Sequence, residues 1–292
     1  MDRSSAPENT TALPTRARTL LKEAGIKARK RLGQHFLIDR KVLKAIVQAA
    51  ELSPEDTVIE VGPGLGMLTV ELAKRAGSVI AVELDTRLSE LLATRLRAMP
   101  NVRIVNADIL KVSPAELLEG KAQYKVVANL PYYITSPVLH HFVMASPHPS
   151  LMVVMLQREV AEAVVARGGK MGLLAIALHI YSRPRIITYV SPRSFYPPPK
   201  VESAVVRFDM LPQPAIDVDT DQFLSLVRCG FASPRKKLRN SLAHGLGIGP
   251  AEAGSLLEKA GISLERRAET LTLEEWSRLY RVVTSAGVKL SC

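Results

Sequence analysis

Short β-branched runs recur along the first two thirds of the chain at a near-constant interval, and this rhythm limits the fold more than any other feature. The runs are TVIEVG from Thr57, SVIAVE from Ser78, VRIVNA from Val102, YKVVAN from Tyr124 and LMVVML from Leu151, starting 21 to 27 residues apart. Between them lie segments with helical spacing, such as Leu65 to Ala76 and Thr86 to Ala98. Strands separated by one helix's length of chain predict βαβ units, hence a parallel sheet with helices on both faces. The runs are apolar on both sides of the pleat, as a sheet covered on both faces requires. After the Pro-rich stretch Ser194 to Met210 the pattern changes. A last strand, Ala204 to Asp209, is expected to close the sheet. From Asp221 onward, DQFLSLVRCGF, PRKKLRNSLAHGL, PAEAGSLLEKAGI and TLEEWSRLYRVV read as short helices separated by Gly or Pro. The expected organisation is a flexible leader over 1–27, an α/β domain over 28–210 and a small all-α domain over 211–292.

The 292 residues, 47% of them hydrophobic, suffice for one large core and a smaller one. No apolar run reaches the length of a membrane span, and the first forty residues lack the apolar stretch of a signal peptide. A cytoplasmic protein without a membrane partner is therefore expected, and a monomer. The two cysteines, Cys229 and Cys292, form no CxxC pair and have no clustered histidines, so neither a disulfide framework nor a metal site is expected. Cys229 reads as a small buried apolar residue. The net charge of +11 is unevenly spread. Residues 1–40 hold 9 basic and 4 acidic side chains, residues 41–182 hold 14 and 13, and residues 183–292 hold 16 and 11. Basic flanks attract polyanions and gain free energy by releasing counterions, which makes nucleic acid a natural partner; a solubilising surface charge is the other reading.

Directly after the first run comes Glu60-Val61-Gly62-Pro63-Gly64-Leu65-Gly66, leading into a helix. Glycines let the backbone turn sharply and approach a ligand, and a helix N-terminus offers free N–H groups. Taken alone, this loop also suits a dinucleotide, but Met67 stands where that fingerprint wants a small residue. The E-x-G-x-G-x-G spacing instead resembles motif I of the Rossmann-like methyltransferases. Glu83, ending the second run 21 residues after Gly62, is placed to accept two ribose hydroxyls. Asp108, ending the third, is placed to accept from the cofactor's adenine amino group. Each acid by itself also suits a helix N-cap.

After the fourth run the chain reads Asn129-Leu130-Pro131-Tyr132. An exocyclic amine conjugated to an aromatic ring is a poor nucleophile because its lone pair is delocalised. Acceptors at the Asn129 side-chain oxygen and the Leu130 carbonyl would hold the amino hydrogens and aim that lone pair, with the Pro131 ring stiffening the loop. Tyr132 is placed to stack on the target base. An adenine within a helix is out of reach, so an unpaired or flipped base is required. Phe195, just before Tyr196-Pro197-Pro198-Pro199-Lys200, is a candidate second wall of the base sandwich; a core aromatic at a strand start is the alternative.

From about Ala28 to the C-terminus the chain resembles the ribosomal RNA adenine dimethylases, more closely those that act on the small subunit. The residues carrying the resemblance are Gly33-Gln34-His35-Phe36-Leu37, Gly62-Pro63-Gly64, Val82-Glu83-Leu84-Asp85, Asn129 to Tyr132, Gln157-Arg158-Glu159, Phe195 with Pro197 to Val201, and Arg235-Lys236-Lys237 with Arg239 to Leu242. The resemblance implies a Rossmann-like, mostly parallel sheet with one antiparallel strand. It implies S-adenosylmethionine held by Gln34, His35, Leu37, Gly62, Gly64, Glu83, Asp108 and Asn129. It further implies dimethylation of two adjacent adenines near the 3′ end of small-subunit rRNA, in an immature small ribosomal subunit. Arg235, Lys236, Lys237 and Arg239 are expected to hold RNA backbone, together with Lys27 to Arg31. The family often has Asn where this chain has His35, and Tyr-Gly-Arg-Leu-Ser where this chain has Lys170-Met171-Gly172-Leu173-Leu174. A large-subunit dimethylase and a non-catalytic RNA-binding assembly factor are the competing readings; the latter would be expected to have lost Glu83, Asp108 or the Asn129 loop.

Overall fold

The computed structural model describes residues 19–22 and 34–290. Gly33, the basic stretch 27–31 and most of the expected leader lie outside the described residues. Within that leader, 19–22 form a helical turn whose Leu21 is buried against Phe36, Leu65 and Leu88.

The five rhythmic runs form parallel strands β2 (Thr57–Val61), β3 (Ser78–Glu83), β4 (Val102–Asn106), β5 (Lys125–Asn129) and β6 (Leu151–Gln157). Their connections include helices α2 (Met67–Ala73), α3 (Thr86–Arg95), α4 (Pro114–Leu118) and α5 (Thr135–Val143), while α1 (Arg40–Ala49) precedes β2 and α6 (Arg158–Val165) follows β6. Successive side chains along a strand point to opposite faces. Thus Ile59, Val61, Val126, Ala128 and Val154 pack with Val138, Leu139 and Phe142 of α5. Val58, Val79, Val127 and Val153 pack with Ile46 of α1 and Leu68 and Leu72 of α2. Both faces are covered, as the uniformly apolar runs require.

The strand order is β4-β3-β2-β5-β6-β9-β7, where β7 is Ser182–Val190 and β9 is Ser203–Met210. Only β9 runs against the rest of this sheet. This corrects one sequence expectation: the strand over 204–209 does not close the sheet but is inserted between β6 and the edge strand β7. Pro184 and alternating arginines disguise β7, SRPRIITYV, and proline is tolerated at an edge because the outward N–H has no ladder partner to lose. The order reverses between β2 and β5, whose pairing includes only Val58 with Lys125 and Ile59 with Val126. Beyond Ile59 these strands lose each other, and a crevice opens at their carboxyl ends, where open α/β sheets bind ligands.

The C-terminal helices are α8 (Thr220–Gly230), α9 (Leu238–Leu246), α10 (Pro250–Lys259) and α11 (Leu273–Ser285). The last is started by Thr272 and Glu275 in a reciprocal capping box. They bury Phe223, Leu238, Leu257 and Trp276 in a second core. Helix α7 (Leu173–Tyr181) belongs to both cores: Leu178 packs beneath the sheet, while Ala175, Ile176 and Ile180 join the helical core. A helix covered on two sides needs apolar residues all round, and LLAIALHIY has them. Met171, within the departing Lys170–Leu174 segment, is buried in that junction and its N–H donates to Glu269 O at 2.9 Å. The helical unit thus reaches back across the expected boundary at 210/211. Cys229 is buried as expected, but it is disulfide-bonded rather than free, which the wide separation of two cysteines in sequence did not suggest.

Candidate active site

The crevice is a cleft of about 1170 Å³, its open mouth included. Every residue expected to hold a cofactor lines it: Gln34, His35, Leu37, Gly62, Gly64, Glu83, Asp108 and Asn129. Two of the glycines show why that residue type stands there. Gly62 and Gly64 have φ of +65° and +56°, and a Cβ on Gly64 would lie 2.9 Å from the Phe36 ring.

Glu83 is buried, and its two oxygens already receive backbone N–H groups, from Gly64 at 3.2 Å and Asp85 at 2.9 Å. The carboxylate thereby ties the glycine turn to the end of β3, and each oxygen retains a second lone pair toward the cleft. Burial raises its pKa, against the opposing pull of those backbone donors. Asp108 Oδ1 caps the short turn Ile109–Lys111 by accepting from Leu110 N–H at 3.1 Å, and the residue also lines the cleft. Asn106, which sequence reasoning passed over, donates to Glu83 O at 2.8 Å and holds the ends of β3 and β4 together.

The N-terminal segment crosses the cleft as β1 (Phe36–Leu37), paired antiparallel with β8 (Phe195–Tyr196). His35 Nδ1 lies 2.7 Å from Pro197 O, and the Asn129 side-chain N–H donates to His35 O at 3.1 Å. That donation fixes the amide so that its oxygen is the group left for a ligand. The Leu130 carbonyl has no hydrogen-bond partner among the described residues. The Tyr132 ring stacks on His35 with centroids 5.7 Å apart, and its hydroxyl lies 2.6 Å from Ser203 Oγ on β9. Burial raises the Tyr132 pKa.

Phe195 is the exception among the candidate catalytic residues. It is only 2% exposed and packs in the core with Leu37, Val190 and Val205, so it presents no face to a base. The expectation of a second wall is corrected in favour of the core alternative: pairing with Leu37 turns the ring inward, and it supports the strand that carries His35. The exposed aromatic at the cleft is instead Tyr133, 50% exposed, with Leu84 and Leu110 nearby on the same rim.

The residue sequence reasoning missed most plainly is Glu60. It is 1% exposed, lines the cleft, and its Oε2 has no hydrogen-bond partner, nor has the neighbouring Thr69 Oγ1. Burial pushes its pKa up to about 8. The signal was present as a lone acid inside an otherwise apolar strand, TVIEV. On the helical domain, Arg235 and Lys236 are exposed in the turn before α9, Lys237 is paired with Glu265 at 2.5 Å, and Arg239 is half-buried.

A glycine turn after β2, bonded to the acidic end of the adjacent β3 and lying beside the reversal of a mostly parallel sheet, is the arrangement of a Rossmann-like methyltransferase. Solved structures agree. The chain is similar to the 23S rRNA methyltransferase ErmE, at 30% identity and TM-score 0.68 over 85% of this chain and 99% of that one. It is similar also to a dimethyladenosine transferase from Plasmodium falciparum, at 25% identity and TM-score 0.73 over 88% and 100%. A model of the ribosomal RNA adenine dimethylases matches residues 25–285, and the chain belongs to that family. Among curated relatives, the ribosomal RNA small subunit methyltransferase A of Dehalococcoides mccartyi (strain ATCC BAA-2266 / KCTC 15142 / 195) is 51% identical over 97% of this chain and 98% of its own. The protein of the same description from Pelotomaculum thermopropionicum is 42% identical over 94% and 98%.

Proposed function

We propose that this enzyme uses S-adenosylmethionine to dimethylate the exocyclic N6 of two adjacent adenines near the 3′ end of small-subunit rRNA, within an immature small subunit. It does so as a cytoplasmic monomer. The observation that carries the reading is the Asn129 amide, clamped by His35 O at the lip of the glycine-turn cleft with its oxygen free. A buried carboxylate bonded to the glycine turn, and a cleft roomy enough for a nucleoside with an amino-acid tail, fit the cofactor.

When bound, S-adenosylmethionine supplies a methyl group activated by the sulfonium. Glu83 would accept from the ribose hydroxyls and Asp108 from the adenine amino group, through lone pairs their backbone contacts leave over. Asn129 Oδ1 and the Leu130 carbonyl accept the two N–H bonds of the target amine, which localises its lone pair toward the methyl group. On receiving that methyl group the target nitrogen would become cationic and would shed a proton to solvent. Alignment rather than a strong base lowers the barrier. Tyr132, braced by Ser203, stacks on the target base once the ring of His35 yields that face.

The test is incubation with labelled S-adenosylmethionine and immature small or large subunits, followed by mapping of the modified bases. Label confined to two adjacent adenines of the small subunit is expected. Label in the large subunit alone would overturn the substrate assignment, to which the 51% identical relative lends support.

A further inference from the structure

Apart from Met144, the exposed large apolar side chains among the described residues gather on one edge of the sheet. Leu84, Leu110 and Tyr133 ring the mouth of the cleft, and Tyr189 and Val201, 50% and 44% exposed, lie farther along the same carboxyl edge of the sheet. Asn129 ends β5 opposite Met155 of β6, while Tyr189 on β7 is in register with Ala204 of β9, itself opposite Leu156. Tyr189 therefore stands three strand spacings from the Asn129 loop, or ~14 Å at ~4.8 Å each.

Tyr189 also has defined neighbours. The Arg158 guanidinium sits over one face of its ring, 5.0 Å from the centroid. Arg158 is in turn fixed by Glu162 at 2.9 Å and Glu202 at 2.7 Å, and the Tyr189 hydroxyl donates to Glu162 at 3.4 Å. The cluster does not suit a phosphate, because its one cation is neutralised by two carboxylates, with Glu159 adjacent. What it offers is a half-exposed aromatic ring with a guanidinium over one face.

We propose that Tyr189 is a stacking platform for a base flanking the target adenine in the rRNA strand, with Arg158, Glu162 and Glu202 as the residues that position it. Base–aromatic stacking tolerates any base, since every base has a π-face, and so serves register along the strand rather than sequence readout. A distance of ~14 Å spans about four nucleotides at ~3.4 Å per stacked nucleotide, fewer where the strand is drawn out by extrusion of the target. The inference rests on the reading of the substrate as rRNA.

The test uses the full chain as wild type, Tyr189→Ala, Tyr189→Phe and Arg158→Ala. With immature small subunits, Tyr189→Ala is expected to raise KM about 5- to 150-fold, the range of one lost base–aromatic stack, with kcat at saturation, S-adenosylmethionine affinity and Tm held. Tyr189→Phe keeps the ring and retains wild-type KM, while Arg158→Ala falls between. In parallel, an rRNA 3′-terminal fragment carrying 2-aminopurine at successive positions beside the target is titrated with each variant. Fluorescence quenching at one position, lost in Tyr189→Ala and kept in Tyr189→Phe, is the expected signature. An unchanged KM in Tyr189→Ala overturns the proposal, as does an equal loss in Tyr189→Phe. A raised KM without quenching at any position overturns it too, assigning the contact to a subunit protein. Failure of the wild type to methylate small subunits counts instead against the proposed function, and the quenching titration still reads the stack by itself.

Discussion

Glu60→Gln should stabilise the ligand-free protein, and by an amount that depends on pH. Glu60 is 1% exposed, and its Oε2 has no partner. Burial, with a smaller contribution from the charge of Glu83, raises its pKa from 4.5 to about 8. The unfolded chain releases this proton near the lower value and the folded chain near the higher one. Between them the folded state holds one proton more than the unfolded state, so each pH unit upward costs about 1.4 kcal/mol of stability. Near pH 7 the accumulated penalty is ~3 kcal/mol, growing to ~5 kcal/mol above pH 8 and vanishing below about pH 4.5. An amide of the same shape carries no such penalty. Glu60→Gln is therefore expected to match wild type near pH 4.5 and to exceed it by about 3 kcal/mol near pH 7. In a chain of this size that is an increase of several degrees in Tm. Urea unfolding at pH 5, 6, 7 and 8 measures the difference directly. The same increment at every pH would refute the reasoning, because only the titration of Glu60 makes the gap widen. A carboxylate kept at this cost in the cleft wall implies a ligand donor that repays it, so S-adenosylmethionine should raise the Tm of wild type more than that of Glu60→Gln.

Other outcomes follow from the same geometry. Asn129→Ala removes the clamped acceptor and should lower the rate of methyl transfer by about 10²- to 10³-fold. RNA binding, read by gel shift or anisotropy, should persist. Gly64→Ala adds a Cβ 2.9 Å from the Phe36 ring at a φ of +56°. Left-handed strain of ~1–2 kcal/mol and overpacking of ~1–3 kcal/mol should both appear, as lower Tm and weaker cofactor binding by calorimetry. Arg235→Ala and Lys236→Ala, which remove exposed cations, should each reduce the salt slope of RNA binding by ~0.7–0.9. Lys237→Ala should reduce it less, because Glu265 already neutralises that lysine.

Much of this enzyme is legible along the chain because the physics involved is local. Two-sided apolar runs at one interval dictate covered parallel strands, glycines before a helix dictate a tight turn, and acids at strand ends fall on one edge whatever the strand order. Gly62, Gly64, Glu83, Asp108 and Asn129 were placed in one cleft by that reasoning, and the structure brings them together. Other features depend on pairings between distant segments, which no local periodicity encodes. The insertion of β9 inside β7 was decided by which edge of the sheet remained open, and the sharing of α7 between two cores by what packed on its far side. Pairing of Phe36–Leu37 with Phe195–Tyr196 turned Phe195 into the core and set His35 O where it clamps Asn129. Glu60 looked like one letter of a glycine motif. Only the splaying of β2 from β5, and the covering of its face by α1 and α2, made it a buried carboxyl whose Oε2 has no hydrogen-bond partner. The sequence by itself determined which groups meet at the carboxyl edge of the sheet; tertiary structure decided which way each one faces, because facing is set by neighbours that arrive from elsewhere in the chain.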